Sequence, residues 1–564
     1  MKILALNPPF LPKYSRESRS PAVTKSGTLY YPMWLCYAVG RLEKAGHEVR
    51  LVDAPASGLS AADVTEIARA FQPDMAVLDT STPSIYNDIS VGEALKRELP
   101  ELFVALVGVH VSALPVETLS LSPHIDAVAF GEYDETITEL ADKLSVIKTN
   151  QAVDVNTENQ AAIKNDTRVI NNENGGAGNA EAENHTESSG GNYTDSIDNT
   201  PIDNHTNTID NAPIDNHTNP IDNTLAAIRG IAFRDSAGAI WKNEARPFIE
   251  DLDALPFVSD VYQRHLDINP YFYGHSRHPI VVIVTGRGCP FHCTFCVVPQ
   301  TLQGHRYRKR SIESIVQEFL FIRDNFPNVR EIMIEDDTLT ADRKRCRDLS
   351  EALIATGGHR IPWSANSRAD VNYETMRLMR KAGCRLLCVG FESGEQAILD
   401  NIQKSITIEK LVDFTRDAKR AGILVHGCFM VGNRGETRQT LQKTLELAKE
   451  LSPDTAQFYP IMVYPGTTDY AHFTEKGWIV SDNFRNWLTP EGLHSSVVSN
   501  PDLTYEELVA FCDRARRAFY LRPSYMLAKL RQMIAYPGEA KRIIKAAFTF
   551  MRYLLSPTIK KRGK

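Results

Sequence analysis

Two stretches of this chain alternate short, continuously apolar runs with helical patterns, and a long polar segment separates them. In the first stretch the runs are Lys2–Leu6, Glu48–Asp53, Met75–Leu78, Phe103–Val107 and Asp126–Phe130. Runs that are apolar throughout suit strands covered on both faces, and a helix after each strand suits parallel pairing. Residues 1–148 are therefore expected to form a doubly wound parallel sheet, whose ligands bind beyond the carboxyl ends of its strands. In the second stretch the runs are Ile280–Thr285, Ile332–Glu335, Trp363–Ser367, Leu386–Glu392, Leu424–Val431 and Ala456–Val463. Six such units over 278–500 predict a partial β/α barrel of TIM type, with its chemistry again at the carboxyl ends. The fold class is thus α/β: the sheet, a bridging segment at 226–277, the partial barrel, and a helical region at 501–564.

Residues 149–225 have a different character, dominated by Asn, Asp, Thr, Gly and Glu, with Pro-Ile-Asp-Asn-His-Thr-Asn starting at Pro201 and again at Pro213. With no apolar face to bury, the segment reads as a disordered insert or linker. The net charge of -7 argues against nucleic acid as a partner. Asn7-Pro8-Pro9 interrupts the apolar core that a signal peptide would need, and no run is long enough for a membrane span, so the expected location is cytoplasmic. Nine cysteines in so long a chain do not suggest a disulfide framework.

Three of those cysteines fall together in Thr285-Gly-Arg-Gly-Cys289-Pro-Phe-His-Cys293-Thr-Phe-Cys296, directly after an apolar strand. Three thiolates on one loop select an iron–sulfur cluster or zinc. Structural zinc wants a fourth ligand, which His292 or His305 could supply at a spacing unusual for a finger. A four-iron cluster held by three cysteines keeps one iron open.

Cx3Cx2C after the first barrel strand, with Phe295 before the last cysteine, resembles the radical S-adenosylmethionine (SAM) superfamily. The resemblance spans about 228–500. It implies a 4Fe-4S cluster on Cys289, Cys293 and Cys296, which cleaves SAM reductively to a 5′-deoxyadenosyl radical. It also implies SAM contacts from Asp336 and Asp337 after the second strand, Arg368 after the third and Glu392 after the fourth. Gly432 and Glu436 after the fifth complete this set. At that fifth turn Arg434 stands where the family usually has proline. The first domain resembles the cobalamin-binding domain of one large radical SAM subgroup, which implies cofactor contacts at Pro9, Ser81, Thr82, Gly108, His110, Gly131 and Glu132. The Asp-x-His-x-x-Gly motif that supplies an axial histidine in mutases is absent, and Asp203-Asn204-His205, inside the polar repeat, is a decoy.

The function so implied is cobalamin-dependent methylation of an unactivated carbon in a small molecule. The alternatives are radical cyclisation or rearrangement of a lipid or tetrapyrrole-like substrate, and a cofactor sensor without turnover. An electron donor such as a flavodoxin or ferredoxin is expected as partner. The basic C-terminal tail, 541–564, is open to two readings: a packed, solvated helix end or a peripheral contact with anionic membrane.

Overall fold

The computed structural model describes residues 1–24, 26–150 and 219–535, together with the backbone of 209–210 and a few residues between 540 and 548. The polar insert and the basic tail thus lie almost entirely outside the described residues, as does Asp203–His205.

Five parallel strands build the first sheet: β1 (Lys2–Asn7), β2 (Glu48–Asp53), β3 (Met75–Thr80), β4 (Phe103–Gly108) and β5 (Ala127–Ala129). Every residue of β3 is buried, as its apolar run requires for a central strand. The strand order is β2-β1-β3-β4-β5, so the connections reverse direction between β1 and β3. That reversal opens a crevice beyond the carboxyl ends, where doubly wound folds take their ligands.

The expected bridge at 226–277 is divided between two structures. The two-residue strand β6 (Ile209–Asp210) precedes β7 (Ile231–Arg234) and β8 (Ile240–Lys242), and all three extend the first sheet. β7 runs antiparallel to β5, and its Ile231, Ala232 and Phe233 are buried. A hairpin can pair antiparallel with a sheet edge without a crossover helix, so the run of buried residues joins the sheet directly. The helix Val258–His265 and the tyrosines after it pack between sheet and barrel. Tyr31 stacks on Tyr262 and Tyr271, with ring centroids 4.4 and 3.8 Å away, and its hydroxyl donates to the Ile280 carbonyl at 2.7 Å.

The second sheet begins with β9 (Ile280–Ile283), followed by the short hairpin β10 (Gly286–Arg287) and β11 (Arg308–Lys309). It continues through β12 (Glu331–Ile334), β13 (Trp363–Ser367), β14 (Cys384–Glu392), β15 (Leu424–Val431) and β16 (Thr455–Pro460). The order β9-β12-β13-β14-β15-β16 is entirely parallel, a six-stranded open barrel. The helix Tyr505–Tyr520 lies along the edge strand β16. Its Tyr520 hydroxyl accepts from the N–H of Ala456 and donates to the Ala456 carbonyl, both at 2.8 Å, and Arg516 donates to Phe458 O at 2.6 Å. An exposed strand edge is a row of unpaired backbone groups, and here side chains take them up.

Candidate functional site: the cysteine loop and the facing strand ends

The cysteine loop leaves β9 and returns through β11, so the hairpin fixes both of its ends. Gly288 stands at a φ of +85°, and a Cβ there would lie 2.4 Å from Arg306 O, so only glycine permits this approach. Gly288 N–H donates to Gln303 Oε1 at 3.0 Å, and the Gln300 amide donates to Cys296 O at 2.8 Å. Farther along, Thr294 is bonded to Ile402 O through its backbone at 3.1 Å and to Asp469 Oδ2 through its hydroxyl at 3.1 Å. Arg434 forms an ion pair with Asp469 at 2.5 Å and donates to Thr468 O at 2.7 Å. The residue that departs from the family's proline thus ties the turn after β15 to the cysteine loop.

The three loop thiols are free and half-buried. Burial, with the Asp337 carboxylate nearby, pushes the Cys289 thiol up to about 11, and burial raises Cys296 further. Among the described residues, these three do not form a set of ligand atoms within 4.8 Å of one another; Cys388, His426 and Cys428 do. A single zinc ion with bonds of about 2.3 Å would hold sulfurs about 3.8 Å apart. The loop thiols are therefore spread too widely for one ion, whereas a four-iron cluster binds each thiol through a different iron. The donor set fits the cluster.

The residues at the barrel's carboxyl end divide by what holds them. Asp336 is buried and fully engaged: it accepts from Thr285 N and Oγ1, both at 2.6 Å, and from Tyr307 OH at 2.8 Å. It thereby ties β9 to β12 rather than facing a ligand. Asp337 and Glu335 are different, each keeping one buried carboxylate oxygen without a partner. Between them comes Arg19 from the first domain, 3.4 Å from Asp337 Oδ1, bonded to Asp336 O at 3.0 Å and in electrostatic reach of Cys289 and Cys296. Burial holds both carboxyl groups above their ordinary range against the pull of that guanidinium.

Glu392 closes β14 at a φ of +61°, a left-handed conformation rare for a residue with a Cβ, just after a bulge at Gly390. Its carboxylate accepts from Lys404 Nζ at 2.8 Å, and Cys293 is among the charges acting on that ammonium. Arg368 stacks on Phe291 of the cysteine loop at 3.6 Å and donates to Lys404 O. Phe295 packs partly buried near Lys404. Gly432 (φ +93°) and Asn433 donate their N–H groups to the buried Glu436 carboxyl, whose other oxygen has no partner. Burial raises Glu436 to about 8.

In the first domain, Pro9 O accepts from Asn87 at 2.7 Å, and Ser81 is bonded to Tyr14 OH at 2.8 Å and to Ser84 at 2.7 Å. Gly108 (φ +112°) passes so near β3 that a Cβ would lie 2.5 Å from Thr80 O. Gly131 (φ +73°) has no heavy atom within 4 Å of where a Cβ would stand, and such open backbone suits a flat, bulky group. His110 is a packing residue: Nδ1 lies 3.2 Å from Thr82 Oγ1, the ring meets Phe484 edge-on at 5.1 Å, and burial lowers it to about 3. Glu132, expected on the cofactor, has its oxygens taken by Arg287 at 2.8 Å, Arg308 at 2.7 Å and Ile249 N at 2.7 Å. Asp134 completes the cluster on Arg287 at 2.8 Å, and all of these side chains are buried. The position of Glu132 after β5 brings it against the cysteine loop rather than into the crevice.

Sequence reasoning missed Arg19, Lys404 and Arg287. One signal was available for Arg19: it lies on the irregular stretch between Asn7 and Met33, far longer than an ordinary βα connection.

Comparison with known proteins agrees with this arrangement. Residues 283–448 match the family model of the radical SAM superfamily, and residues 19–141 match that of the B12 binding domain. The chain is 27% identical over 530 residues to an uncharacterized methyltransferase of Pyrococcus horikoshii, covering 93% of this chain and 94% of that one. It is 24% identical to the anaerobic magnesium-protoporphyrin IX monomethyl ester cyclase of Cereibacter sphaeroides, covering 87% of this chain and 67% of that one. Among solved structures, the radical SAM methyltransferase TsrM from Kitasatospora setae, with cobalamin and a [4Fe-4S] cluster bound, superposes with a TM-score of 0.60 at 14% identity. The match covers 91% of this chain and 90% of TsrM, and it shows a shared fold. With its cysteine loop, its open parallel barrel and its switch-point sheet, the chain carries a radical SAM domain at 283–448 with a B12-binding domain at 19–141 ahead of it.

Proposed function

We infer that this protein is a cobalamin-dependent radical SAM enzyme that methylates an unactivated carbon of a small molecule. The observation that carries the reading is the meeting of two cofactor sites through one joint. The loop bearing Cys289, Cys293 and Cys296 is held to the B12-binding domain by the buried pairs of Arg287 and Arg308 with Glu132 and Asp134. Relatives that are methyltransferases by name match most of the chain: besides the Pyrococcus protein, the cytidylyl-2-hydroxyethylphosphonate methyltransferase of Streptomyces wedmorensis is 23% identical over 79% of this chain.

When bound, the cluster with SAM supplies a 5′-deoxyadenosyl radical, and cobalamin supplies a methyl carrier. The chain's own residues position and desolvate. The loop carbonyls fixed by Gln300 leave the three thiols to the cluster. The unpartnered oxygens of Glu335 and Asp337 suit an ammonium such as that of SAM, and Arg19 balances their charge. Glu392 and Lys404 form a buried pair beside Cys293 that orders the barrel mouth. Phe295, Arg368, Gly432 and Glu436 complete the SAM side of the site, and Pro9, Ser81, Thr82, Gly108 and Gly131 line the cobalamin side. Both cofactors so placed would sit between the two domains, with substrate entering the open barrel.

The reading is tested on protein reconstituted anaerobically with iron, sulfide and hydroxocobalamin, then incubated with SAM and a low-potential reductant such as a flavodoxin. Bound cobalamin together with 5′-deoxyadenosine and S-adenosylhomocysteine is the expected result. 5′-Deoxyadenosine without S-adenosylhomocysteine would move the chemistry to cyclisation or rearrangement, the activity named for the Cereibacter relative. Cofactor loading without consumption of SAM would make the protein a sensor. The Cys293→Ala variant is expected to lose the cluster and at least about a hundredfold of SAM cleavage; wild-type rates in that variant would overturn the site assignment.

A further inference from the structure

The barrel carries a second cluster of soft ligands, apart from the cysteine loop. Cys388 on β14 pairs in register with His426 on β15, and Cys428 lies two residues along the same strand. Alternation puts all three on the inner face: they are half-buried, while Leu387, Val389, Val425 and Phe429 on the other face are fully buried. The sulfurs stand 4.0 Å apart, and one ligand atom from each of the three residues lies within 4.8 Å of the other two.

A disulfide does not fit this pair. Positions offset by two residues on neighbouring strands lie roughly 8 Å apart at Cα, beyond the roughly 7 Å that a disulfide bridges. A metal ion fits better: tetrahedral zinc with bonds of about 2.3 Å sets its sulfurs about 3.8 Å apart. The imidazole is oriented as a ligand would be. His426 Nδ1 is 2.7 Å from Thr455 Oγ1, and the ring stacks on His275 at 4.7 Å. An outer partner on one ring nitrogen holds the orientation of the ring. The exposed Gln457 side chain, also in hydrogen-bonding reach of the ring, can swing aside.

We propose that Cys388, His426 and Cys428 form a second metal site, a Cys2His set for zinc or a similarly soft divalent ion, with the fourth position open to the barrel interior. Three protein ligands and one open position are the pattern of sites that bind water or a substrate donor atom, rather than of closed structural sites. Glu392 and Lys404 at the barrel mouth lie within electrostatic reach of Cys428, so an ion here would face the same interior that receives substrate.

The test uses the full-length, cluster-loaded protein, so that Cys289, Cys293 and Cys296 are already occupied. Zinc alone is added anaerobically, excess is removed, and zinc and iron per chain are counted, with X-ray absorption at the zinc edge reading the ligands. Close to one zinc per chain is expected, with two sulfurs at about 2.3 Å and one nitrogen at about 2.0–2.1 Å. The double variant Cys388→Ser, Cys428→Ser is expected to lose the zinc and keep its iron. If that variant fails to fold, His426→Gln serves instead, with zinc retention weakened roughly tenfold or more. No zinc retained by the wild type, an all-oxygen shell, or zinc unchanged in the variants overturns the site. Because the readout is zinc rather than SAM cleavage, its failure leaves the proposed methyl transfer standing, and the reverse also holds.

Discussion

Glu436 offers the clearest single-residue handle on this fold. Its carboxyl receives two backbone N–H groups yet is deeply buried, and burial prevails, raising it from 4.5 to about 8. Between those values the folded chain keeps a proton that the unfolded chain has released, so stability falls as pH rises through the window. Glu436→Gln imitates the protonated group and removes this slope. From pH 6 to pH 8 the wild type is expected to lose about 2 kcal/mol relative to the variant. Denaturant unfolding of both proteins at the two pH values checks this, and parallel profiles would contradict it. At this scale the sequence was legible where chemistry is local. The spacing of Cys289, Cys293 and Cys296 marked one loop as a candidate ligand set, and the resemblance named what it would hold. The role of Asp336 was not legible, because its engagement depends on Thr285 and Tyr307, 51 and 29 residues away. Nor was that of Lys404, which reaches Glu392 only because the chain turns back after β14.

At the scale of elements, the apolar runs gave the parallel strands closely, since a strand covered on both faces needs an unbroken run. Ends were less legible: β14 begins at Cys384, two residues before the run at Leu386, because Cys384 pairs with Trp363 across a register shift. The hairpin of β7 and β8 was read as a bridge, since a short apolar run does not reveal which sheet will take it. The edge strand β16 depends on a neighbour that its own sequence does not announce. Tyr520→Phe would leave both backbone groups of Ala456 without their partner, at a cost of about 1–3 kcal/mol. A lowered melting temperature with unchanged iron content is expected. An unchanged melting temperature would show that water replaces the hydroxyl freely.

Over the whole molecule, the joint between the domains rests on charge. Arg287, Arg308, Glu132 and Asp134 are all buried, and removing one partner of such a group leaves its counterpart uncompensated, a loss of about 3–5 kcal/mol. Glu132→Ala is expected to unfold at lower temperature and to hold less iron, because Arg287 stands two residues before Cys289. Calorimetry with iron counted per chain checks both, and a variant that melts earlier but keeps all its iron would show that the loop is held without the first domain. Among the described residues no helix is long and apolar enough to cross a membrane.

The same joint limits how such a chain can be recombined. Two buried arginines of the barrel form their ion pairs, among the described residues, with acids that another domain supplies. A barrel transplanted without its first domain, or grafted onto one lacking carboxylates at the positions of Glu132 and Asp134, would carry bare guanidinium groups into a dry interface. The two halves therefore form a matched pair, and a working chimera must exchange the acids and the arginines together.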